Sequence, residues 1–153
     1  MRVAGFRPCS LFDGPGINFV IFTQGCTHQC DGCHNPSTWN TDGGKEMSVA
    51  EIKKAIEPYI GFITGICFSG GDPILQKDEV DELAKWAKTK DLTTILYTGY
   101  KFEDIYHLWE LAFIDYVIDG PYVKEKHSDD LPFRGSSNQH IYRKYGYVWR
   151  VVE

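Results

Sequence analysis

The sequence predicts a single α/β domain over residues 1–153, built on a mostly parallel sheet with right-handed crossovers, open or curled into part of a barrel. Three observations carry this prediction. Short apolar runs alternate with amphipathic helical segments along the chain. A length of 153 residues suits one substantial core and falls short of two ordinary ones. Every stretch with unusual chemistry begins where an expected strand ends, the end at which parallel α/β folds bind ligands.

In chain order, the opening "MRVAGFRPCSLFDGPG" has prolines, an acid and glycines where a secretory signal would need a continuous apolar stretch, and reads as the start of a mature chain. A cytoplasmic setting is therefore expected. Ile17 to Thr23, "INFVIFT", is a buried strand. In "SVAEIKKAIEPYI", Ser48 caps a helix with Glu51 as the reciprocal partner. Val49, Ile52, Ala55 and Ile56 share one face of it, and Pro58 limits its far end. Gly65 to Ser69 is a short central strand, and Lys77 to Lys88 a helix with Val80, Leu83, Ala84 and Ala87 inward. "TTILYT" (93–98) is a third strand. Phe102 to Ala112 is a helix burying Phe102, Ile105, Leu108, Trp109 and Ala112, and "IDYVID" (114–119) is a fourth strand. Gly120 to Asn138, rich in Pro, Asp, Ser and Gly, is a long loop, after which "YGYVWRVV" (145–152) supplies one last strand.

Composition narrows the function classes. Apolar residues at 42% and charged residues at 24% are ordinary for a soluble protein, and no apolar run approaches the roughly 18 residues of a membrane span. A formal charge of −5, with no Lys/Arg cluster, gives no electrostatic reason to bind nucleic acid or an anionic membrane. Three of the five cysteines fall in eight residues as Cys26-x3-Cys30-x2-Cys33, which favours a metal site in a reducing compartment over a disulfide framework.

"QGCTHQCDGC" follows the first predicted strand, "GGDP" the second, "TGY" the third and "DGPY" the fourth, so the four loops are expected to form one composite pocket. Thiolates bind zinc and iron–sulfur clusters, and the fourth ligand separates the two. A closed zinc site would add His28, His34, Cys9 or Cys67 to the three cysteines. A 4Fe-4S cluster on three cysteines leaves one iron open. The lack of a second cysteine knuckle favours the cluster without excluding zinc. Cys9 and Cys67 read as small apolar packing residues, and Gly70, Gly71, Asp72 and Pro73, taken alone, as a strand-to-helix turn.

Cys26-x3-Cys30-x2-Cys33, preceded by "DGPG" (13–16) and followed by "SGGDP" (69–73), resembles the radical S-adenosylmethionine enzymes. Together with "GCTHQCDGCHNPSTW" (25–39), "YTGY" (97–100), "DYVIDGPY" (115–122) and "RGSSNQ" (134–139), it is similar within them to the activating proteins of anaerobic ribonucleoside-triphosphate reductases. The resemblance runs from about Pro8 to Gln139.

It implies an incomplete, curved (β/α) barrel of the radical SAM type, with about four βα units plus a C-terminal strand. It also implies a 4Fe-4S cluster on Cys26, Cys30 and Cys33, whose open iron is chelated by S-adenosylmethionine. Reductive cleavage would yield methionine and a 5′-deoxyadenosyl radical, which takes a hydrogen from a glycine of the reductase's large subunit. Gly70, Gly71 and Asp72 would receive the methionine ammonium group, and Gly32, Cys33 and His34 would line the adenine. An electron donor such as a flavodoxin or ferredoxin is implied as well.

His34 stands where Tyr is more usual, and Asn18 where related proteins often carry Arg, which puts a charge at that position in doubt. His28 reads as a donor near cluster sulfur or a solvated loop residue. Tyr97, Thr98 and Asp119 can touch a cofactor or serve core and turns. "FRGSSNQ" is a polar loop for docking the partner's glycine segment. Three other readings stay open: a small radical enzyme acting on a free metabolite, resembling 7-carboxy-7-deazaguanine synthase, a zinc-stabilised interaction module, and an iron–sulfur electron carrier, which would want four cysteines and no cofactor pocket.

Overall fold

A computed structural model of the chain describes residues 1–107 and 111–153. Among the described residues one sheet contains β1 (Arg2–Ser10), β2 (Asn18–Thr23), β3 (Lys45–Glu46), β4 (Gly65–Gly70), β5 (Thr93–Tyr97), β6 (Tyr116–Ile118), β7 (Ile141–Tyr145) and β8 (Val148–Val151), in the order β3-β1-β2-β4-β5-β6-β7-β8. The four expected strands, β2, β4, β5 and β6, are its parallel centre. Antiparallel strands extend both sides, β1 and β3 beyond β2, and β7 and β8 beyond β6. The architecture is therefore a mixed α/β sheet. No helix among the described residues is long and apolar enough to cross a membrane.

The helices α1 (Val49–Ile56), α2 (Lys77–Thr89) and α3 (Phe102–Ile105) lie in the crossovers. Ser48 and Glu51 form the capping box, with Glu51 N–H donating to Ser48 Oγ at 3.1 Å and Ser48 N–H to Glu51 Oε1 at 3.1 Å. Ile52 and Ile56 of α1, with Val80, Leu83, Ala84 and Ala87 of α2, pack on Phe19, Ile21, Ile66, Phe68 and Leu96 of the sheet. Period-2 alternation sends Val20, Cys67, Ile95 and Ile118 to the opposite face.

One strand was not anticipated and three expectations are corrected. The opening segment forms β1. Its pairing with β2 slips between Arg7 and Ser10, where Pro8 has no N–H to give, and β3 pairs only with Arg2 and Val3, so the proline sits on open edge. The last strand is a hairpin, turned by Gly146 (φ 64°) at the first central position of a two-residue loop. The third helix is assigned over Phe102–Ile105 and does not reach Ala112, because Leu111 is left-handed at φ 49°. Leu111 is buried there and Ala112 exposed, while Leu108 and Trp109 lie outside the described residues. Three parallel strands, not four, lead into a crossover helix, since β6 runs into the loop from Gly120.

The face opposite the helices holds a buried thiol, Cys67, and a partly buried phenol, Tyr97. Burial pushes the Cys67 thiol well above its ordinary 9.0, with the charge of Asp13 adding to the rise. Burial likewise pushes the Tyr97 phenol well above 10.0, helped by Cys67 and Asp13, and its hydroxyl donates to Phe133 O at 2.7 Å. The unfolded chain gives up these protons first as pH rises. Their contribution to stability is complete below the unfolded values and is lost as pH climbs toward the folded ones. Denaturant midpoints are expected to fall as pH rises past the unfolded thiol's 9.0 and then the unfolded phenol's 10.0, and to fall less in Cys67→Ala. An equal pH dependence in both proteins would contradict this.

Candidate functional site

The parallel strands end nearly level, with Thr23 opposite Gly70 and Tyr97 opposite Ile118, so the loops that follow start side by side. They enclose a cavity of about 530 Å³. From the loop after β2 come Cys26, His28, Cys30, Cys33 and His34. Gly70 and Gly71 come from the end of β4 and its turn, Thr98 and Gly99 from beyond β5, and Gly120 and Tyr122 from beyond β6. The expected composite pocket is formed.

The cysteine loop is shaped by its own backbone. Gly25 (φ 113°), Gln29 (φ 49°) and Gly32 (φ 75°) have left-handed backbone, three such positions in eight residues. Gly25 N–H donates to Thr38 O at 2.6 Å and Cys26 N–H to Trp39 O at 3.2 Å, tying the loop to the turn Pro36–Thr38 that follows it. Cys33 N–H donates to Cys30 O at 3.1 Å, and Asn35 N–H points at Cys33 Sγ at 3.4 Å, a donor suited to a ligating sulfur. Burial pushes the Cys26 thiol up, opposed by hydrogen bonds from the His28 and Gln29 backbone and reinforced by the charges of Asp72 and Cys30.

The three thiols are free and share the cavity wall. Cys9, exposed on β1, and Cys67, fully buried in β4, do not line it. The residues fit a group wanting three sulfurs and an open fourth position. His28, one candidate fourth ligand, has Nε2 engaged with Asp72 at 2.6 Å. His34 is exposed and packs 5.1 Å from the Tyr122 ring and 5.7 Å from the His127 ring.

Asp72 follows the Gly70–Gly71 turn but faces the protein. It is 1% exposed. Besides His28, its carboxylate accepts from Gly99 N–H at 2.9 Å, from Ile74 N–H at 3.1 Å, and from the Thr98 hydroxyl, which lies 3.0 and 3.1 Å from its two oxygens. The turn itself is pressed onto the cysteine loop. Gly71 N–H donates to Thr23 O and Asp72 N–H to Gly25 O, both at 2.8 Å.

Other positions resolve into structural parts. The Asn18 amide donates to the carbonyls of Asp13, Gly14 and Pro15 at 3.2, 3.3 and 2.9 Å, so a neutral side chain pins the "DGPG" loop over the sheet. Gly14, at φ 92°, lies so close that a Cβ would meet Ile95 at 2.6 Å. Asp119 is 4% exposed and accepts from Phe102 N–H and His140 N–H, a turn role. In "RGSSNQ", Gln139 Oε1 accepts from Gly135 and Ser136 N–H, and the largely buried Arg134 pairs with Glu153 at 3.5 Å.

Sequence reasoning brought Gly120 and Tyr122 to the pocket but missed His127 and Asp129, further along the loop after β6. There the Tyr122 hydroxyl lies 2.9 Å from His127 Nδ1, and His127 Nε2 lies 2.9 Å from Asp129. An irregular Pro/Gly/Ser-rich segment carries no periodicity to place these side chains; the available signal was the concentration of His, Tyr and Asp after a parallel strand.

Comparison with known proteins agrees with this geometry. The family model described as "4Fe-4S single cluster domain" matches residues 12–142. The chain is 38% identical over 148 residues to the anaerobic ribonucleoside-triphosphate reductase-activating protein of Enterobacteria phage T4, covering 94% of each chain. It is 34% identical over 153 residues to the protein of the same name from Vibrio cholerae, covering 94% of this chain and 98% of that one. Pyruvate formate-lyase 1-activating enzyme of Escherichia coli is 40% identical over 102 residues, 64% of this chain but only 42% of that enzyme. A matching cluster-domain model and relatives at this identity over 94% of the chain place the chain in the 4Fe-4S single cluster domain family and in the family of the anaerobic ribonucleoside-triphosphate reductase-activating proteins.

Proposed function

We propose that this chain is a radical S-adenosylmethionine activase that installs a glycyl radical on the large subunit of an anaerobic ribonucleoside-triphosphate reductase. The observation that carries the reading is the cavity wall with three free cysteines and no fourth. Cys26, Cys30 and Cys33 would hold the 4Fe-4S cluster. When bound and reduced, the cluster supplies the electron that cleaves S-adenosylmethionine and so makes the hydrogen-abstracting species.

The chain's residues bind and orient. The Gly70–Gly71 turn, bare of side chains, receives the methionine ammonium group, with the buried Asp72 next in the chain. Gly32, Cys33 and His34 line the adenine side. The sheet serves as an incomplete barrel of the radical SAM type, and the flank carrying the exposed Leu11 and Phe12, both in the cavity wall, admits a segment of a large partner. An electron donor such as a flavodoxin or ferredoxin and a cytoplasmic setting complete the reading.

Anaerobically reconstituted chain with a chemical reductant is expected to cleave S-adenosylmethionine to methionine and 5′-deoxyadenosine. Colourless protein with one zinc per chain and no cleavage would contradict it. The loop 134–139 is the docking surface for the glycine segment. Arg134→Ala is expected to weaken activation of the reductase about tenfold while reductant-driven cleavage persists; unchanged activation would remove the docking role.

A further inference from the structure

We infer that His28 is a positioning residue, a latch that ties the cysteine loop to the ends of β4 and β5 and fixes the thiols before any cluster is bound. The inference rests on the reading of Cys26, Cys30 and Cys33 as cluster ligands. His28 lies between the first two of them, and its ring reaches across to a residue 44 positions away, with Nε2 donating to Asp72 Oδ2 at 2.6 Å. That acceptor is immobile. The Asp72 carboxylate is also held by Ile74 N–H, Gly99 N–H and the Thr98 hydroxyl, so one side chain joins the loops after β2, β4 and β5.

Two further contacts show a place made for the ring. It stands edge-on to Tyr100, with centroids 4.6 Å apart at 76°. A Cβ on Gly99 would fall 2.5 to 2.9 Å from three of its atoms, so the absence of a side chain at 99 is what admits it. A solvated histidine would show neither feature, and its side chain is only 19% exposed. The physical consequence is preorganisation. A loop with three left-handed residues has many alternatives when free, and holding it at its middle removes that ordering cost from cluster uptake.

The test uses the full chain in four forms: wild type, His28→Ala, His28→Gln and Gly99→Ala. After anaerobic reconstitution, iron and sulfide per chain and the rate of iron loss to a chelator are measured, with Tm and far-UV circular dichroism alongside. Amide exchange of residues 25–35 is followed in the cluster-free proteins. His28→Ala and Gly99→Ala are expected to lose iron roughly tenfold or more faster than wild type while remaining folded. Exchange across 25–35 should rise in both. His28→Gln, whose amide can still donate to Asp72, should recover part of the loss.

Wild-type rates of iron loss and exchange in His28→Ala would overturn the latch. If wild type itself takes up no iron–sulfur cluster, the cluster reading fails instead, and amide exchange alone still decides whether His28 holds the loop. Should His28→Ala fail to fold, Gly99→Ala and His28→Gln carry the same comparison.

Discussion

Cys30→Ala is expected to yield a folded chain that retains no cluster, does not cleave S-adenosylmethionine and does not activate a reductase. The same result is expected at Cys26 and Cys33. Three thiols are the whole sulfur supply of the cavity. Cys9 is exposed on β1, and Cys67 is fully buried in β4 with burial holding its thiol protonated, so neither can replace a lost ligand. The remaining side chains offer little substitution, because His28 is committed to Asp72 and a structural role. Cys9→Ser and Cys67→Ala supply the contrast, since both should keep iron and sulfide at wild-type levels. Metal and sulfide analysis of anaerobically reconstituted proteins checks this. Full iron and sulfide in Cys30→Ala, or none in Cys9→Ser, would show that the ligand set has been misread.

Gly71→Ala is expected to damage stability and cofactor binding together. A Cβ at this position would lie 2.1 Å from the Gly25 carbonyl oxygen and 2.7 Å from its carbon. Both are backbone atoms, so no side chain can swing aside. The Gly25 carbonyl is also the acceptor for Asp72 N–H, and moving it away loses that bond. The turn after β4 must separate from the cysteine loop, opening the cavity wall where the ammonium group is proposed to bind. Overpacking of this kind costs about 1–3 kcal/mol. Affinity for S-adenosylmethionine should fall about tenfold or more, since a displacement of roughly 1 Å at such a site is enough to matter. Gly5→Ala is the control, with nothing within 4 Å of its Cβ and an expected effect within about 0.5 kcal/mol. Urea midpoints of the metal-free proteins and calorimetric titration with S-adenosylmethionine measure both effects. Gly71→Ala behaving like Gly5→Ala would contradict the close approach.

What the sequence made legible follows from the range of each signal. The parallel centre was readable because β2, β4 and β5 are continuous apolar runs, the mark of strands covered on both faces. The inward face of α2 and the Ser48 capping box were readable because helix periodicity and capping act within four residues. β1 was not, since Gly5 and Pro8 interrupt it and its place is set by pairing with β2 across a slip in register. β8 was read within one strand begun at Tyr145, and β7 was not read at all, because the Gly146-Tyr147 turn lies inside an aromatic-rich run and β7 is placed by its pairing with β6.

At the site, the cysteine spacing announced a metal centre within eight residues. The partnership of His28 with Asp72 and the space at Gly99 arise from the alignment of β2, β4 and β5, which no local pattern encodes. Asn18 shows the same limit. Its amide donates to the carbonyls of Asp13, Gly14 and Pro15, a role set by the path of the loop and not by any local pattern.

The most direct measurement is electron paramagnetic resonance on an oxygen-free mixture of the reconstituted chain, S-adenosylmethionine, a reductant and the large subunit of an anaerobic ribonucleoside-triphosphate reductase. The account predicts a glycyl radical signal on the large subunit that requires every component and disappears with Cys30→Ala. A wild-type chain carrying its full cluster that leaves the large subunit without such a signal would contradict it.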